Sequence, residues 1–264
     1  MQPISSPQNP RLKKALRLHS SRGRKQQSRI IVFGQREIGR AIDAGVAPVE
    51  IFVLESQTEL AAPLIERFPD CEFFSIAESL MQRLQFGDRS EGMVAIAERP
   101  KTELADFPID RKVIIVLEQV EKPGNLGAIA RSIDACGAGG LILADPKCDA
   151  FHPNAIRSST GTTFSLPIAT ATSEDVQSWL AEQGFQVLTA YLEDAVNFFD
   201  QTLDGPVAIV LGNEATGLTD KWRDSRFQPV KLPMNGIADS LNVSVTASVM
   251  LYESMRQRDA KLRG

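Results

Sequence analysis

Long apolar runs, paired cysteines and clustered metal ligands are all missing from this sequence of 264 residues. The longest uninterrupted apolar runs have five residues, far fewer than the roughly 20 needed to span a bilayer. The basic N-terminus has no apolar stretch of the kind found in a secretory signal, so we expect a cytoplasmic protein. Three cysteines and two histidines lie far apart and match neither a zinc-site spacing nor a disulfide framework. We therefore expect a reducing environment and no metal.

Acidic residues are absent from the first 29 positions, although the whole chain carries a net charge of −4. These positions hold eight lysines and arginines, whereas the remaining residues carry 21 basic and 33 acidic side chains. A concentrated basic segment on an acidic protein is typical of a local contact with a polyanion such as RNA. The alternative is a solvated amphipathic helix, because Leu12 and Leu16 recur at helical spacing. Charge alone leaves both interpretations open.

Strand-like and helix-like segments alternate from residue 30 onward, in a composition typical of a globular protein. Residues 98–111 contain two prolines, many charges and little periodicity, which predicts a linker. We therefore expect two α/β domains, residues 1–105 and 106–264, each built on a mainly parallel sheet with right-handed crossovers. The fully apolar segments Val113–Leu117 and Val207–Leu211 are predicted to be central strands of the second sheet.

Ligands of parallel α/β sheets bind beyond the carboxyl ends of the strands, where the first unusual loop spans residues 118–127. It precedes a predicted helix over Gly127–Cys136, and Asn125 is a candidate cap for that helix. Arg131 points away from the apolar stripe of the same helix. A dinucleotide site with Asp145 as the ribose-binding acid is an alternative, but the loop lacks the G-x-G-x-x-G pattern.

Two further loops follow apolar strands. In the first, Gly212 and Gly217 flank Glu214, so the backbone could approach a ligand closely, although a tight turn is the plain alternative. The second, residues 232–242, leads into a helix predicted over about Leu241–Arg258, with Ser240 as its cap. That helix is apolar around nearly its whole circumference, which predicts burial against its own sheet and against a second subunit.

Together these loops resemble the SpoU (TrmH-type) family of RNA ribose 2′-O-methyltransferases, within the SPOUT superfamily. The resemblance runs in order through NLGAIAR at 125–131, NAIRSSTG at 154–161, LGNEATGL at 211–218 and the LPM and SLNVS segments of 232–244. Residues 33–38, FGQREI, are similar to the start of a ribosomal-protein-like RNA-binding domain found in many members, with Phe33 where glutamate is usual. The subfamily with a long N-terminal extension, which includes antibiotic-resistance methyltransferases of large-subunit ribosomal RNA, is the most similar.

The resemblance implies a ribosomal-protein-like α/β domain followed by a SPOUT α/β domain with a trefoil knot. It also implies a homodimer with its active site at the dimer interface, S-adenosylmethionine as cofactor, and ribosomal RNA as substrate. Transfer RNA is an alternative substrate. A catalytically silent RNA-binding relative and, more distantly, a nucleotide-dependent oxidoreductase are the alternative functions.

The resemblance also assigns roles to individual residues. Arg131 would either accept the ribose hydroxyl proton or hold the target phosphate, and Asn125, Glu214 and Asn242 would orient it and the nucleotide. The cofactor contacts would come from Thr189, Gly212, Leu232 and Leu241. The RNA contacts would come from Arg11, Arg36, Arg157 and Ser159.

Overall fold

The computed structural model describes residues 1–86, 91–109 and 113–263, with side chains described as far as residue 259. They form two compact units, one made of Met1–Lys101 with Phe151–Ser165 and the other of Thr102–Ala150 with Leu166–Gly264. Residues 151–165 therefore group with the N-terminal unit, although the sequence places them in the C-terminal domain. The last two positions of the expected linker, 110 and 111, lie outside the described residues.

Strands and helices alternate along the described chain. The strands are β1 (Gln2–Ile4), β2 (Arg29–Phe33), β3 (Pro48–Leu54), β4 (Glu72–Ile76), β5 (Met93–Glu98), β6 (Val113–Glu118), β7 (Gly140–Ala144), β8 (Ile168–Ala171), β9 (Gln186–Ala190), β10 (Val196–Asn197), β11 (Val207–Leu211) and β12 (Gln228–Lys231). The α-helices are α1 (Pro10–Arg17), α2 (Ser21–Gln27), α3 (Gln35–Asp43), α4 (Ala62–Arg67), α5 (Glu78–Leu84), α6 (Pro123–Cys136), α7 (Pro153–Ser158), α8 (Ser173–Glu182) and α9 (Val243–Arg263). Within the described residues, no helix combines the length and the apolar character needed to cross a membrane.

The first unit contains a mixed sheet in the order β1-β4-β3-β5-β2. β1, β4 and β3 are parallel, whereas β5 is antiparallel to both of its neighbours. Since β2 and β3 are both antiparallel to β5, four of the five strands run in one direction, and the expectation of a mainly parallel sheet fails only at β5. Alternation of strands and helices does not fix strand direction, and β5, which is buried on both faces over Met93–Ala97, suits a central position in either direction.

The second unit contains a parallel sheet in the order β10-β12-β9-β11-β6-β7-β8. The predicted strands Val113–Leu117 and Val207–Leu211 form β6 and β11, which are central, as predicted, and which the structure places next to each other. Their register pairs Val207 with Val113 and Leu211 with Leu117, so both strands end at the same level. The loops that follow β6 and β11 therefore leave the sheet side by side.

The basic N-terminal segment is a folded part of the first unit. β1 pairs with β4, and Leu12, Ala15 and Leu18 are buried in the core. Arg24 is itself fully buried and donates from Nη1 to the carbonyl oxygen of Leu18 at 2.8 Å. The amphipathic character expected of this segment is thus the means by which it packs against the sheet.

Two helix starts differ from their predictions. α6 begins at Pro123, a residue favoured in the first helical turn, so Asn125 lies inside that turn and does not cap the helix. α9 begins at Val243, and Asn242 takes the cap position predicted for Ser240, because its Oδ1 accepts the Ser244 N–H at 2.9 Å.

α9 covers only part of its apolar surface within one chain. Ala247, Met250 and Leu251 are buried, and α9 packs against α6. Val245 and Tyr252, by contrast, are 46% and 48% exposed. The expected packing of this helix against its own sheet is present, and its burial against a second subunit stays a prediction.

Candidate active site

A cavity of about 640 Å³ opens beyond the carboxyl ends of β9, β11 and β12. This is the edge of a parallel sheet where ligands are expected. Three of the four predicted cofactor residues, Gly212, Leu232 and Leu241, line the cavity. The fourth, Thr189, immediately precedes Ala190, which also lines it. The cavity therefore joins elements that are far apart in sequence but were predicted to act together.

The loop after β11 is closed by its own backbone. The N–H of Asn213 donates to the carbonyl oxygen of Gly217 at 3.1 Å, and the Gly217 N–H donates back at 2.9 Å. A Cβ placed on Gly212 would lie 2.2 Å from the carbonyl carbon of Gly217, well inside van der Waals contact. Only glycine fits at position 212, because the backbone of Gly217 and Leu218 occupies the place that a side chain would take.

The residues around the cavity fit S-adenosylmethionine, a ligand with polar ribose and amino-acid parts beside an adenine ring. Gly212 and Gly217 line the cavity without side chains. The hydroxyl of Thr189 is buried and has no hydrogen-bond partner within the described residues. A buried polar group without a partner is costly, so this hydroxyl is a candidate for a contact that a ligand completes.

Tyr191 and Arg223 form one wall of the cavity. The Tyr191 hydroxyl donates to the carbonyl oxygen of Thr219 at 2.8 Å, and the Arg223 guanidinium lies 4.6 Å from the centre of the tyrosine ring. Burial raises the pKa of the Tyr191 phenol. The wall therefore presents an aromatic ring covered by a cation, an arrangement that no sequence motif predicted.

Three of the predicted catalytic residues are joined by hydrogen bonds. Asn125 donates from Nδ2 to Oε1 of Glu214 at 2.6 Å, and Asn242 donates from Nδ2 to Oδ1 of Asn125 at 3.4 Å. The three side chains come from α6, from the loop after β11 and from the cap of α9. The parallel sheet thus brings together the residues that the sequence motifs singled out.

Arg131 is not part of this group. It is exposed on α6, and within the described residues its guanidinium has no ion-pair or hydrogen-bond partner. Six residues of α-helix separate it from Asn125, or about 9 Å along the helix axis. Its guanidinium is therefore available to a bound molecule or to a second chain.

Two of the predicted RNA-binding arginines are engaged in ion pairs inside the first unit. Arg11 forms an ion pair with Glu50 at 2.7 Å and a bidentate one with Glu72, and the hydrogen bond to Glu50 is the main cause of its raised pKa. Arg36 pairs with Glu37 at 2.6 Å, where the glutamate is buried and the arginine is half exposed. Each guanidinium would have to share its charge with a neighbouring carboxylate when RNA binds.

The other two predicted RNA contacts lie in and just after α7. Arg157 donates from Nη1 to the carbonyl oxygen of Phe86 at 3.2 Å. Ser159 is fully buried, donates from its hydroxyl to the carbonyl oxygen of Ile156 and accepts the N–H of Gly161. Ser159 has no surface to offer to RNA in this structure, because its hydroxyl fixes the turn that ends α7.

No cluster of three or more potential metal ligands occurs in the part of the chain that the structure describes. The polar side chains at this edge of the sheet are instead the amides of Asn125 and Asn242 and the carboxylate of Glu214.

Comparison with known proteins identifies both units. The sequence model of the SpoU rRNA Methylase family matches residues 112–252, and that of the MRM3-like substrate binding domain matches residues 9–95. A 23S rRNA (uridine(2479)-2′-O)-methyltransferase of Streptomyces viridochromogenes is 34% identical over 247 residues, which cover 89% of this chain and 85% of the relative.

Two solved structures match nearly the whole chain. An AdoMet-bound rRNA methyltransferase from Sinorhizobium meliloti superposes with a TM-score of 0.88 at 28% identity, covering 97% of each chain. The SpoU methyltransferase AviRb from Streptomyces viridochromogenes, in complex with AdoMet, gives a TM-score of 0.88 at 29% identity, covering 96% of this chain and 99% of the other. Both structures contain S-adenosylmethionine, the ligand that the cavity fits.

Proposed function

Since the chain belongs to the SpoU rRNA Methylase family, we propose that it transfers a methyl group from S-adenosylmethionine to the 2′-hydroxyl of a ribose in ribosomal RNA. One observation carries the proposal. The glycine-closed cavity and the hydrogen-bonded group Asn125, Glu214 and Asn242 meet at one edge of the parallel sheet. A methyl transfer that is catalysed by holding the reactants in line needs a cofactor pocket and polar groups that orient the ribose.

S-adenosylmethionine, when bound, supplies a sulfonium methyl group that is open to attack by an oxygen nucleophile. Gly212, Leu232 and Leu241 line the cavity and would offer backbone groups to the cofactor. Thr189 contributes a buried hydroxyl that lacks a partner. We assign these four residues to cofactor binding.

The polar group is suited to orienting the ribose. Glu214 uses Oε1 to fix the Asn125 amide, and its Oε2 has no hydrogen bond within the described residues. A free carboxylate oxygen can accept a hydrogen bond from a ribose hydroxyl and hold its oxygen in line for attack. Asn242 supports Asn125 from the opposite side.

Arg131 is assigned to the target nucleotide. An arginine guanidinium is a very weak acid, so its use as a general base would first require a costly deprotonation. Its planar donors instead match a phosphate in a bidentate arrangement. We therefore favour a phosphate-holding role for Arg131 over a role as general base.

A homodimer is the proposed assembly. Val245 and Tyr252 are seven residues apart on α9, so they lie on one face of the helix, and both are about half exposed in the single chain. Leu241, which lines the cavity, is 39% exposed close to the start of the same helix. An interface on this face would place the second chain beside the cavity.

The trefoil knot implied by the family also stays a proposal.

Large-subunit ribosomal RNA is the proposed substrate, supported by the 23S rRNA methyltransferase relative and by the substrate-binding domain match at residues 9–95. The test is methyl transfer from radiolabelled S-adenosylmethionine to purified 23S rRNA, 16S rRNA and transfer RNA, followed by mapping of 2′-O-methyl positions. We expect label in one position of 23S rRNA. Label in transfer RNA alone would show that transfer RNA is the substrate. RNA binding without any methyl transfer would favour a catalytically silent relative.

A further inference from the structure

Glu118 is a fully buried carboxylate that the proposed chemistry does not use. It is the last residue of β6, and its side chain is 0% exposed. Its oxygens accept hydrogen bonds from the Thr219 N–H at 2.8 Å, from the Thr219 hydroxyl at 2.6 Å and from the Ser173 hydroxyl at 3.2 Å. A buried carboxylate requires such partners. Two of the three come from a single residue, Thr219.

Thr219 is the residue at which the loop after β11 ends, and its N–H, its hydroxyl and its carbonyl oxygen all form hydrogen bonds. Its N–H and hydroxyl donate to Glu118, and its carbonyl oxygen accepts from the hydroxyl of Tyr191, a cavity-lining residue. The loop is thereby fixed at its far end to the strand that neighbours β11.

The start of the same loop is held by Gln119, the residue that follows Glu118. Asn213 donates from Nδ2 to the carbonyl oxygen of Gln119 at 2.9 Å. Gln119 adopts φ +52°, a left-handed conformation that non-glycine residues rarely adopt. Residues 118 and 119 therefore fasten both ends of the loop that carries Gly212 and Glu214.

We propose that Glu118 is a positioning residue for cofactor binding, which acts through Thr219 to hold the loop after β11 in its ligand-ready form. A loop that is ordered before binding loses less conformational freedom when the ligand enters, so affinity rises without any direct contact. The inference rests on the proposed assignment of this cavity to S-adenosylmethionine.

The chain offers a matched set of variants. Glu118→Gln keeps the shape of the side chain, but its amide NH2 would face the hydrogen-bond donors of Thr219 or Ser173. Thr219→Val removes the hydroxyl without changing the size of the side chain. Thr219→Ser keeps the hydroxyl. Ser173→Ala removes a hydrogen bond from the same carboxylate, but on α8 and away from the loop.

The measurements are the dissociation constant of S-adenosylmethionine by calorimetry, the thermal midpoint, and the KM and kcat of methyl transfer. A hydrogen bond to a charged group contributes enough free energy to change an equilibrium constant by about tenfold or more. We therefore expect Glu118→Gln and Thr219→Val to raise the dissociation constant of S-adenosylmethionine by roughly that factor. Their kcat at saturating cofactor should fall by a smaller factor than their cofactor affinity, because the bound cofactor restores order to the loop that carries Glu214. Thr219→Ser and Ser173→Ala should keep cofactor affinity within about twofold of wild type.

The double variant Glu118→Gln, Thr219→Val should bind no more weakly than the weaker single variant, because both remove one shared interaction. If every variant lowers the thermal midpoint but leaves cofactor affinity at the wild-type value, Glu118 has a structural role only and the inference is overturned. Thr219→Val decides the matter should Glu118→Gln fail to fold. Absence of cofactor binding by the wild-type protein would overturn the proposed function itself, which is a separate result.

Discussion

Arg131 is the residue whose replacement best separates chemistry from folding. Its side chain is exposed and has no partner within the described residues, so Arg131→Ala should leave the thermal midpoint near wild type. We expect methyl transfer to fall by about a hundredfold or more, as when a donor to the reacting groups is lost, with cofactor affinity unchanged within a few-fold.

Arg131→Lys serves as the matched variant. It keeps the positive charge but loses the bidentate fork, so a phosphate-holding role predicts activity between those of alanine and wild type. Single-turnover methyl transfer at saturating cofactor is the appropriate assay. Near-normal activity of the alanine variant would remove Arg131 from the site.

His19 gives the first unit a pH-dependent stability. Its Nε2 lies 2.8 Å from the carbonyl oxygen of Leu84, and burial lowers its pKa below the ordinary value. The unfolded chain therefore takes up a proton at a pH near 6.5 where the folded one stays neutral, and stability is lost as the pH falls below that point. We expect the free energy of unfolding in urea to drop between pH 7.5 and pH 5.5.

The control for His19 is the variant His19→Gln, which can keep a donor to Leu84 without titrating. Its stability should change less over the same pH interval, and any contribution of His152 is common to both proteins. Carboxylates with lowered pKa, such as Asp145 and Glu253, titrate below this window. Equal pH dependence in both proteins would contradict the assignment.

Sequence reasoning found the residues that carry recognisable motifs and missed those whose role depends on distant partners. Asn125, Glu214 and Asn242 were predicted as one group and are joined by hydrogen bonds. Glu118 gave no such signal, because its meaning depends on Thr219, which is 101 positions away. Its one visible mark was a charge at the end of a fully apolar strand.

At the scale of elements, long or fully apolar sequence patterns predicted the correct structure, whereas short segments and strand direction were not predicted. β6 and β11 were predicted as central strands because Val113–Leu117 and Val207–Leu211 are apolar throughout, whereas their adjacency was found only in the structure. The direction of β5 and the short helix α7 could not be predicted, since neither alternation nor six residues of helix carry enough information. The start of α9 was misplaced because Ser240 and Asn242 are both good caps.

α1 is predicted to supply non-specific affinity for RNA through its exposed cations. Lys13, Lys14 and Arg17 are exposed, in contrast to the paired Arg11 and the buried Arg24. Each contact with a single-stranded phosphate contributes about 0.7 to the salt slope, so replacing all three with glutamine should make the slope shallower by roughly two units. Fluorescence anisotropy with an RNA fragment across a salt series measures this.

A charge-matched triple variant in the second unit is the control for α1. It replaces with glutamine three exposed basic residues that already have acidic partners, namely Lys147, Arg226 and Arg256. Its salt slope should remain near that of wild type. Parallel slopes for all three proteins would show that α1 is merely solvated.

α9 is predicted to form the dimer interface through its exposed apolar face. Tyr252→Arg places a charge there, and an unpaired charge in an apolar contact costs several kcal/mol. Because Tyr252 is half exposed in the single chain, the variant should fold and sediment as a monomer. Ile65→Arg, at a comparably exposed apolar residue of α4, should leave the assembly unchanged. A monomeric wild-type protein in sedimentation velocity would contradict the proposal.

At the scale of the whole molecule, cofactor binding should appear as thermal stabilisation. Free S-adenosylmethionine at about 100 times its dissociation constant adds about 2.7 kcal/mol. For a unit of this size, that corresponds to a rise of roughly 5 to 10 °C in the thermal midpoint measured by scanning calorimetry.

Two glycine variants make this measurement specific to the cavity. Gly212→Ala puts a Cβ 2.2 Å from the backbone of Gly217, so the loop must open and the cofactor should no longer shift the midpoint. Gly205→Ala meets no atom within 4 Å and should respond like wild type. A full shift in the Gly212 variant would show that the cofactor binds elsewhere.

The division of the chain has a consequence for its synthesis. The first unit needs residues 151–165, which the ribosome makes only after 64 further residues beyond position 101. At ordinary rates of translation this takes about 3 to 13 s. During that interval β2 lacks its contacts with α7, and Phe151, Ile156 and Phe164, which are buried in the folded chain, have not yet been added. The nascent N-terminal half therefore presents an incomplete apolar surface for seconds, long enough for a chaperone to bind it before the chain can finish its own fold.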